Sequence, residues 1–289
     1  MIIIKLQGGL GNQLFQYAAG RALSIKNNTA LFFDLSLLQL DEPGITKRHF
    51  ALSVFTIDVS LANKIDVTRI SHPGIARKLL QKLKLIGKNI YTEPHFNYDP
   101  AFLNLKGDII VNGYMQSEKY FKHVKPALQS DLVIKAPLSE KTNLHFEHIK
   151  KTNSVSIHIR RGDFVNDPNT KNVHGNCDIA YYQKAINLIA SKVDDISLFV
   201  FSDDVAWTKE HLSTPYPIVF ADHTNEVNAY EDLYLMSHCK HNIIANSSFS
   251  WWGAWLNLNP NKIVVAPRKW FNQSTANTND LIPEEWIKI

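Results

Sequence analysis

Ser156-Ile157-His158-Ile159-Arg160-Arg161-Gly162-Asp163 reads as an apolar strand that ends in concentrated charge. Side chains alternate in an extended segment, so Val155, Ile157 and Ile159 share one face while Ser156, His158 and Arg160 share the other. The first face can pack and the second can bind. Gly162 lets the chain turn sharply before Asp163. A planar guanidinium grips phosphate through two hydrogen bonds and keeps its charge in a partly dry site, which makes a diphosphate-bearing ligand the expectation here. Plainer readings stand beside it. Adjacent arginines are commonly a solvated pair of small energetic consequence, a lone histidine is more often structural than catalytic, and Arg161-Gly162-Asp163 is too short to carry an adhesion motif.

Beyond this run, short apolar strands alternate with helical stretches, the pattern of a parallel sheet. The spacing predicts strands over 155–159, 198–201, 242–245 and 263–266, with helices over 181–190, 229–238 and 249–256. Three polar clusters then fall at strand ends: 158–163, Ser202-Asp203-Asp204, and Asn246-Ser247-Ser248-Phe249-Ser250. Right-handed crossovers bring successive carboxyl ends to one edge of a sheet, so these clusters are expected to share a crevice. Ser247 and Ser248 precede a tryptophan-rich helix whose first-turn N–H groups can hold an anion, although plain capping explains a single serine equally well. The run Trp251, Trp252 and Trp255 is read as core packing. Asp203 and Asp204 have three uses open to them: metal ligation, capping of the next helix, or recognition of guanine, whose N1–H and amine match two acceptor oxygens. Base recognition is preferred, because arginines and a helix start already serve the diphosphate.

The first half begins with a βαβ unit: a strand over 2–6, the glycine loop Gly8-Gly9-Leu10-Gly11-Asn12-Gln13, a helix over 14–24, and a strand over 30–33. Gly9, Gly11 and Asp34 suggest a dinucleotide fingerprint, but Leu14 occupies the third glycine position. Asp41-Glu42-Pro43-Gly44 and Pro73-Gly74 read as turns, and 75–88 as a solvated amphipathic helix. A strand over 109–111 leads through Gly113-Tyr114-Met115-Gln116-Ser117 into a helix ended by Pro126. The polar stretch 137–153 is the expected connection between domains 1–150 and 151–289.

The chain has 289 residues, of which 45% are hydrophobic and 20% charged, with a formal net charge of +4. The composition is that of a soluble globular protein, the length suggests two domains, and the net charge is too small and too dispersed to argue for nucleic acid. Cys177 and Cys239 lack zinc-ligand spacing, and two thiols in a chain of this length suggest a reducing compartment, so a cytoplasmic location is expected. No signal-peptide core or membrane-spanning run is read.

Four ordered motifs together resemble the α-1,2-fucosyltransferases of glycosyltransferase family 11. They are Gly8-Gly9-Leu10-Gly11-Asn12-Gln13-Leu14-Phe15-Gln16-Tyr17, Gly113-Tyr114-Met115-Gln116-Ser117-Glu118-Lys119-Tyr120-Phe121, His158-Ile159-Arg160-Arg161-Gly162-Asp163, and Asn246-Ser247-Ser248-Phe249-Ser250-Trp251-Trp252-Gly253. The family often has a larger aromatic at position 115, where this chain has Met115. The resemblance implies an α/β, GT-B-like architecture of two Rossmann-like lobes with a cleft between them. The C-terminal lobe would bind GDP-β-L-fucose, the N-terminal lobe would present a β-galactoside, and transfer to its 2-hydroxyl would invert the anomeric centre.

Carried over by position, Arg160 would hold the β-phosphate, His158 and Asp203 would contact guanine, and Ser247 and Ser248 would approach the diphosphate. Arg161, Asn246, Phe249, Gly9 and Gly11 complete the expected donor set. Asn12 would lie near the reacting carbon, Asp163 is the candidate general base, and Gln13, Gln116 and Ser117 are assigned to the acceptor. No metal or cofactor is expected. A surface-glycan or lipopolysaccharide acceptor, if lipid-linked, would add a peripheral contact with the inner membrane surface. Two other classes remain: a nicotinamide-dependent oxidoreductase, which accounts for Gly9, Gly11 and Asp34 only, and a non-catalytic sugar-nucleotide or carbohydrate-binding protein.

Overall fold

The structure is a computed structural model that describes residues 1–40, 47–72, 74–75, 79, 89–161, 177–225, 227–272 and 276–289. The chain forms two compact units: 1–135 with 276–283, and 136–275 with 284–289.

In the first unit, strands β1 (Ile2–Lys5), β2 (Leu31–Asp34), β3 (Ile90–Thr92) and β4 (Ile109–Asn112) form a parallel sheet in the order β2-β1-β4-β3. Helix α1 (Leu10–Asn27) begins four residues earlier than the sequence pattern suggests, because Gly9 in extended backbone already serves as its N-cap. It lies close on β1: a Cβ at Gly20 would stand 2.4 Å from Ile4 Cγ1. Asp34, the acid of the incomplete fingerprint, lies 3.7 Å from Lys5 and accepts from the Ser36 N–H at 2.9 Å. Helix α2 spans Lys64–Ser71. The expected helix ending at Pro126 is replaced by two 3₁₀ turns, Glu118–Tyr120 and Lys122–Val124, after which α3 (Lys125–Asp131) starts with Pro126 in its first turn. Proline is accommodated there because the N–H it lacks has no intrahelical acceptor.

The second unit starts earlier than the expected boundary at 150/151. Helix α4 (Glu140–Lys151) is no connector: Ile149 joins a core cluster with Phe199, Phe201, Leu235 and Met236, and Ser139 and Thr142 bond Glu231. The expected split also misses the return of 276–283 to the first unit, where the Asp280 carbonyl accepts from Ser117 Oγ at 2.7 Å and its carboxylate pairs with Lys119.

Six parallel strands follow: β5 (Asn153–Ile159), β6 (Ile196–Ser202), β7 (Ile218–Ala221), β8 (His241–Ile243), β9 (Val264–Ala266) and β10 (Ile287–Lys288), in the order β10-β9-β8-β5-β6-β7. Helices α5 (Ile179–Ala190), α6 (Val205–His211), α7 (Ala229–His238) and α8 (Ser248–Leu256) connect them. Counted from β5, this is the doubly wound dinucleotide-fold order, which reverses between β5 and β8. Both faces are covered. Val155, Ile157, Ile159, Leu198 and Val200 pack with Tyr182, Ala185 and Ile186 of α5, while Phe199 and Phe201 pack on the other side with α4 and α7. On that other side β5 carries Ser154, Ser156 and His158, all buried. Ser156 Oγ accepts from Asn242 Nδ2 at 2.7 Å, so this part of the polar face is consumed by the fold. Trp251, Trp252, Trp255 and Trp286 form one aromatic cluster in the interior, as the sequence suggests.

Among the described residues no helix is long and apolar enough to cross a membrane.

Candidate functional site

In open parallel sheets a ligand sits outside the carboxyl ends of the strands, where the order reverses. In the second unit that place is flanked by the residues after β5 and after β8. Arg160 and Arg161 leave β5, Asn246 to Ser248 leave β8, and Asp203 and Asp204 follow the neighbouring β6.

Asp203 organises the arginines. Its Oδ2 lies 3.1 Å from Arg160 Nη1, and its Oδ1 accepts the Arg161 backbone N–H at 2.8 Å. Asp204 caps α6 by accepting from the Trp207 N–H at 3.1 Å, and its other oxygen meets Arg161 Nε at 3.3 Å. The Arg161 guanidinium lies over the Trp207 indole, 3.5 Å from the ring centre. Both arginines are thus tied to the residues after β6, Arg160 to the Asp203 carboxylate and Arg161 to Asp204 and the Trp207 ring of α6. His158 is buried, with its ring centre 5.7 Å from that of Phe249. Burial pushes its pKa down to about 4, Asp203 pulling up against it and Arg160 adding to the fall, so the ring is neutral near pH 7. Its Nδ1 has no hydrogen-bond partner among the described residues.

Across the switch point, Ser247 is the N-cap of α8 and accepts from the Phe249 N–H at 3.3 Å. Asn246 is buried, donates to the Trp270 carbonyl at 3.1 Å and accepts from the Cys177 thiol at 3.7 Å. Ser248 opens the helix and is half-buried. Asp163 lies outside the described residues, as do the expected turn 41–44 and most of the 75–88 helix.

The sequence reading missed Asp232. It stands in the first turn of α7, whose Leu235 and Met236 pack with Phe249, the ring beside His158. Asp232 Oδ2 accepts from Thr224 Oγ1 at 2.8 Å, whereas Oδ1 is closed to water and carries no hydrogen bond among the described residues. Burial pushes this carboxyl up to about 7. The sequence signal was faint, because an acid in a first helical turn is ordinarily a solvated partner of the helix dipole.

In the first unit the strand order reverses between β1 and β4, and the glycine loop and the Gly113 motif meet there. Gln116 Nε2 donates to Asn12 Oδ1 at 2.8 Å, and Gln16 Nε2 donates to the Gly113 carbonyl at 3.1 Å. Gly8 has φ +76°, and a Cβ there would stand 2.4 Å from Asn12 Nδ2, so the glycine is needed to seat Asn12. Two of the residues assigned to the acceptor are engaged within the fold. Gln13 and Ser117 are both 0% exposed. Gln13 spends its amide on the Gly8 and His49 carbonyls and the Ala51 N–H, and Ser117 holds the Asp280 carbonyl and the Lys119 N–H. Asn12 is half-buried and Gln116 nearly buried.

The described residues contain no cluster of three or more His, Cys, Asp or Glu side chains arranged to hold a metal ion.

The sequence profile of glycosyl transferase family 11 matches residues 88–289. An Escherichia coli α-1,2-colitosyltransferase is 34% identical over 100% of this chain and 99% of its own length. The O-antigen biosynthesis glycosyltransferase WbnK of Escherichia coli is 35% identical over 98% of this chain and 99% of its own. Galactoside α-(1,2)-fucosyltransferase 2 of Rattus norvegicus is 25% identical over 89% of this chain and 67% of its own. Among solved structures, an Arabidopsis thaliana FUT1 mutant in complex with GDP aligns with a TM-score of 0.50 at 13% identity, over 91% of this chain and 69% of that one, a likeness of fold. This chain is therefore a glycosyltransferase and belongs to glycosyl transferase family 11.

Proposed function

We propose that the chain transfers fucose from GDP-β-L-fucose to the 2-hydroxyl of a terminal β-galactoside with inversion, in the synthesis of a surface glycan such as a lipopolysaccharide O-antigen. The observation that carries this reading is Arg160, held by Asp203 at the strand-order reversal of a dinucleotide-type sheet, with the Ser247-capped start of α8 on the other side. As the glycosidic C–O bond breaks, its electron pair moves to the GDP β-phosphate and positive charge grows on the fucosyl ring. A preorganised guanidinium at that phosphate lowers the barrier. The α8 N-terminus adds a weaker attraction.

Base recognition passes from Asp203 to Asp232 in this reading. Both oxygens of Asp203 serve the arginines, whereas Asp232 Oδ1 carries no hydrogen bond among the described residues; it is closed to water here, so guanine would have to displace what covers it and share the carboxylate with Thr224. Neutral His158, beside Phe249, would contribute to the base from β5. The first unit would present the acceptor through Asn12 and Gln116, with Asp163 as the base for the attacking hydroxyl. Transfer would need no metal, and the enzyme would work in the cytoplasm, meeting the inner membrane surface where its acceptor is lipid-linked.

A second reading replaces the fucosyl donor by a colitosyl one, favoured by the 34% identity to an α-1,2-colitosyltransferase along the whole chain. Incubation with GDP-fucose and lactose in EDTA, followed by mass spectrometry and NMR linkage analysis, tests the first. A 2-linked fucosyl product is expected. Turnover of GDP-colitose alone selects the second, and turnover of neither overturns both.

A further inference from the structure

We infer that Trp207 and Arg161 act together as positioning residues for Arg160, so that the second arginine of the pair is not itself a ligand of the diphosphate. The inference rests on the reading of the second unit as the GDP-binding one.

β5 ends at Ile159, so strand alternation does not set the directions of Arg160 and Arg161, and their partners show which way each is held. The structure gives the second a different task. Its guanidinium is stacked on Trp207 at 3.5 Å, its Nε is taken by Asp204, and its backbone N–H is taken by Asp203 Oδ1. Asp203 Oδ2 is at the same time the partner of Arg160 Nη1. Arg161 and Arg160 are thus tied to one carboxylate, one by its main chain and the other by its side chain.

The platform beneath Arg161 is itself fixed. Asp204 binds both the Trp207 N–H and Arg161, and the Asp204 N–H donates to Ser202 Oγ at 3.0 Å. One turn on, the His211 ring stacks on Trp207 with centres 4.2 Å apart at 15°, and His211 Nδ1 lies 2.8 Å from the Trp207 carbonyl. Tryptophan offers the best ring face for a cation, and a planar, delocalised guanidinium stacks on it flat, as a compact ammonium cannot. Removing the stack releases Arg161, its peptide and, through Asp203, the direction in which Arg160 points. The effect belongs to turnover more than to donor affinity, because misplacement of a cation by a fraction of an ångström is felt most where charge develops on the leaving phosphate.

The test uses the full-length chain with Trp207→Phe, Trp207→Leu, Arg161→Lys and the double variant Arg161→Lys/Trp207→Leu. GDP binding is measured by calorimetry, transfer from GDP-fucose to lactose by steady-state kinetics, and folding by circular dichroism. Trp207→Phe keeps a ring face and is expected to stay within about threefold of wild type, while Trp207→Leu and Arg161→Lys each lower kcat by about tenfold with donor KM changed less than about threefold. The double variant falls no further than the poorer single one, since the two residues act as one unit. Full additivity, or a Trp207→Leu protein with wild-type kcat, overturns the inference. So does an Arg161→Lys protein whose loss lies in GDP affinity with kcat unchanged. Should Trp207→Leu fail to fold, Trp207→Phe against Arg161→Lys still decides: retention in the first with loss of kcat in the second supports the stack, and equal losses refute it. Absence of GDP binding by the wild-type chain overturns the functional reading beneath it, a result distinct from wild-type GDP binding with unchanged variants.

Discussion

Gln116 donates its side-chain amide to the Asn12 side-chain oxygen at 2.8 Å, joining two motifs 104 residues apart in sequence. The pair sits where the first sheet reverses its strand order, and it fixes which way the Asn12 amide nitrogen faces. Gln116→Ala should therefore raise the KM for lactose and lower kcat while leaving GDP affinity unchanged. Calorimetry with GDP beside acceptor kinetics checks this; a variant that loses GDP binding in proportion to activity would remove the pair from the acceptor side.

Arg160→Ala should retain the fold and lose about 10²–10³ in turnover, the size seen when one preorganised donor to a developing anion is removed. The side chain is 28% exposed and pairs with Asp203 at the rim of the sheet, so the core does not depend on it. Near-normal activity in a folded protein would exclude Arg160 from the mechanism.

GDP affinity should depend on Asp232 ionisation. Burial raises this carboxyl to about 7 from an ordinary 3.8, so the ligand-free fold favours the protonated acid. That stabilising contribution is complete below the unfolded value and is lost as pH rises through about 7. Guanine donors need the other form, the carboxylate. The affinity is expected to fall as pH drops below 7, by up to about tenfold per unit. Asp232→Asn should flatten this profile, weaken GDP binding, and raise the melting temperature of the ligand-free protein at pH 8. Calorimetry at pH 8, 7 and 6 reads the first two effects and thermal melting the third; a flat wild-type profile would sink the assignment.

Gln13→Ala should be a stability variant. Removing the buried amide leaves the Ala51 N–H and two carbonyls without their partner, an expected loss of about 1–3 kcal/mol beyond the packing change. Denaturant unfolding measures it. Lactose KM per folded molecule should not change, and a selective KM effect would return Gln13 to the acceptor.

Gly8→Ala should act at the same loop through the backbone. A side chain at φ +76° costs about 1–2 kcal/mol, and the new Cβ would push on Asn12 Nδ2. Turnover is expected to fall with stability, and kinetics on protein held well below its melting temperature separate the two.

Much of the second unit was legible. The alternation of Val155 to Ile159 and the apolar run Leu198 to Phe201 advertise strands, and the apolar spacing of α5, α7 and α8 marks their helices. Strand order was not legible, because it depends on pairings between distant segments such as β5 with β8. The edge strand β10 carries only two residues, too few to stand out, and the edge strand β7 follows Pro215 and Pro217, which read as a loop. The polar clusters were found, but not how their atoms divide the work. A sequence shows that Asp203 follows a strand; only geometry shows that both its oxygens are engaged with the arginines. Gln13 and Ser117 look like ligands for the same reason, since an amide turned inward and one turned outward are spelled alike. Asp232 is the converse case, an ordinary-looking helix acid whose environment sets it apart.

The fastening of Ser139 and Thr142 to Glu231 decides where this protein can be cut. Glu231 is 3% exposed and faces His223 at 3.9 Å, and its ionised state is compensated largely by those two hydroxyls. A fragment begun at residue 151 would strand that carboxylate in the interior, one residue from Asp232, and removal of one partner from a buried ionic group is among the more damaging changes a fold can suffer. Fragments meant to isolate the second unit should therefore begin no later than Ala136. If Asp232 serves the nucleotide as proposed, the same neighbourhood would give substitutions at Ser139 or Thr142 a route to its affinity without either residue touching the ligand.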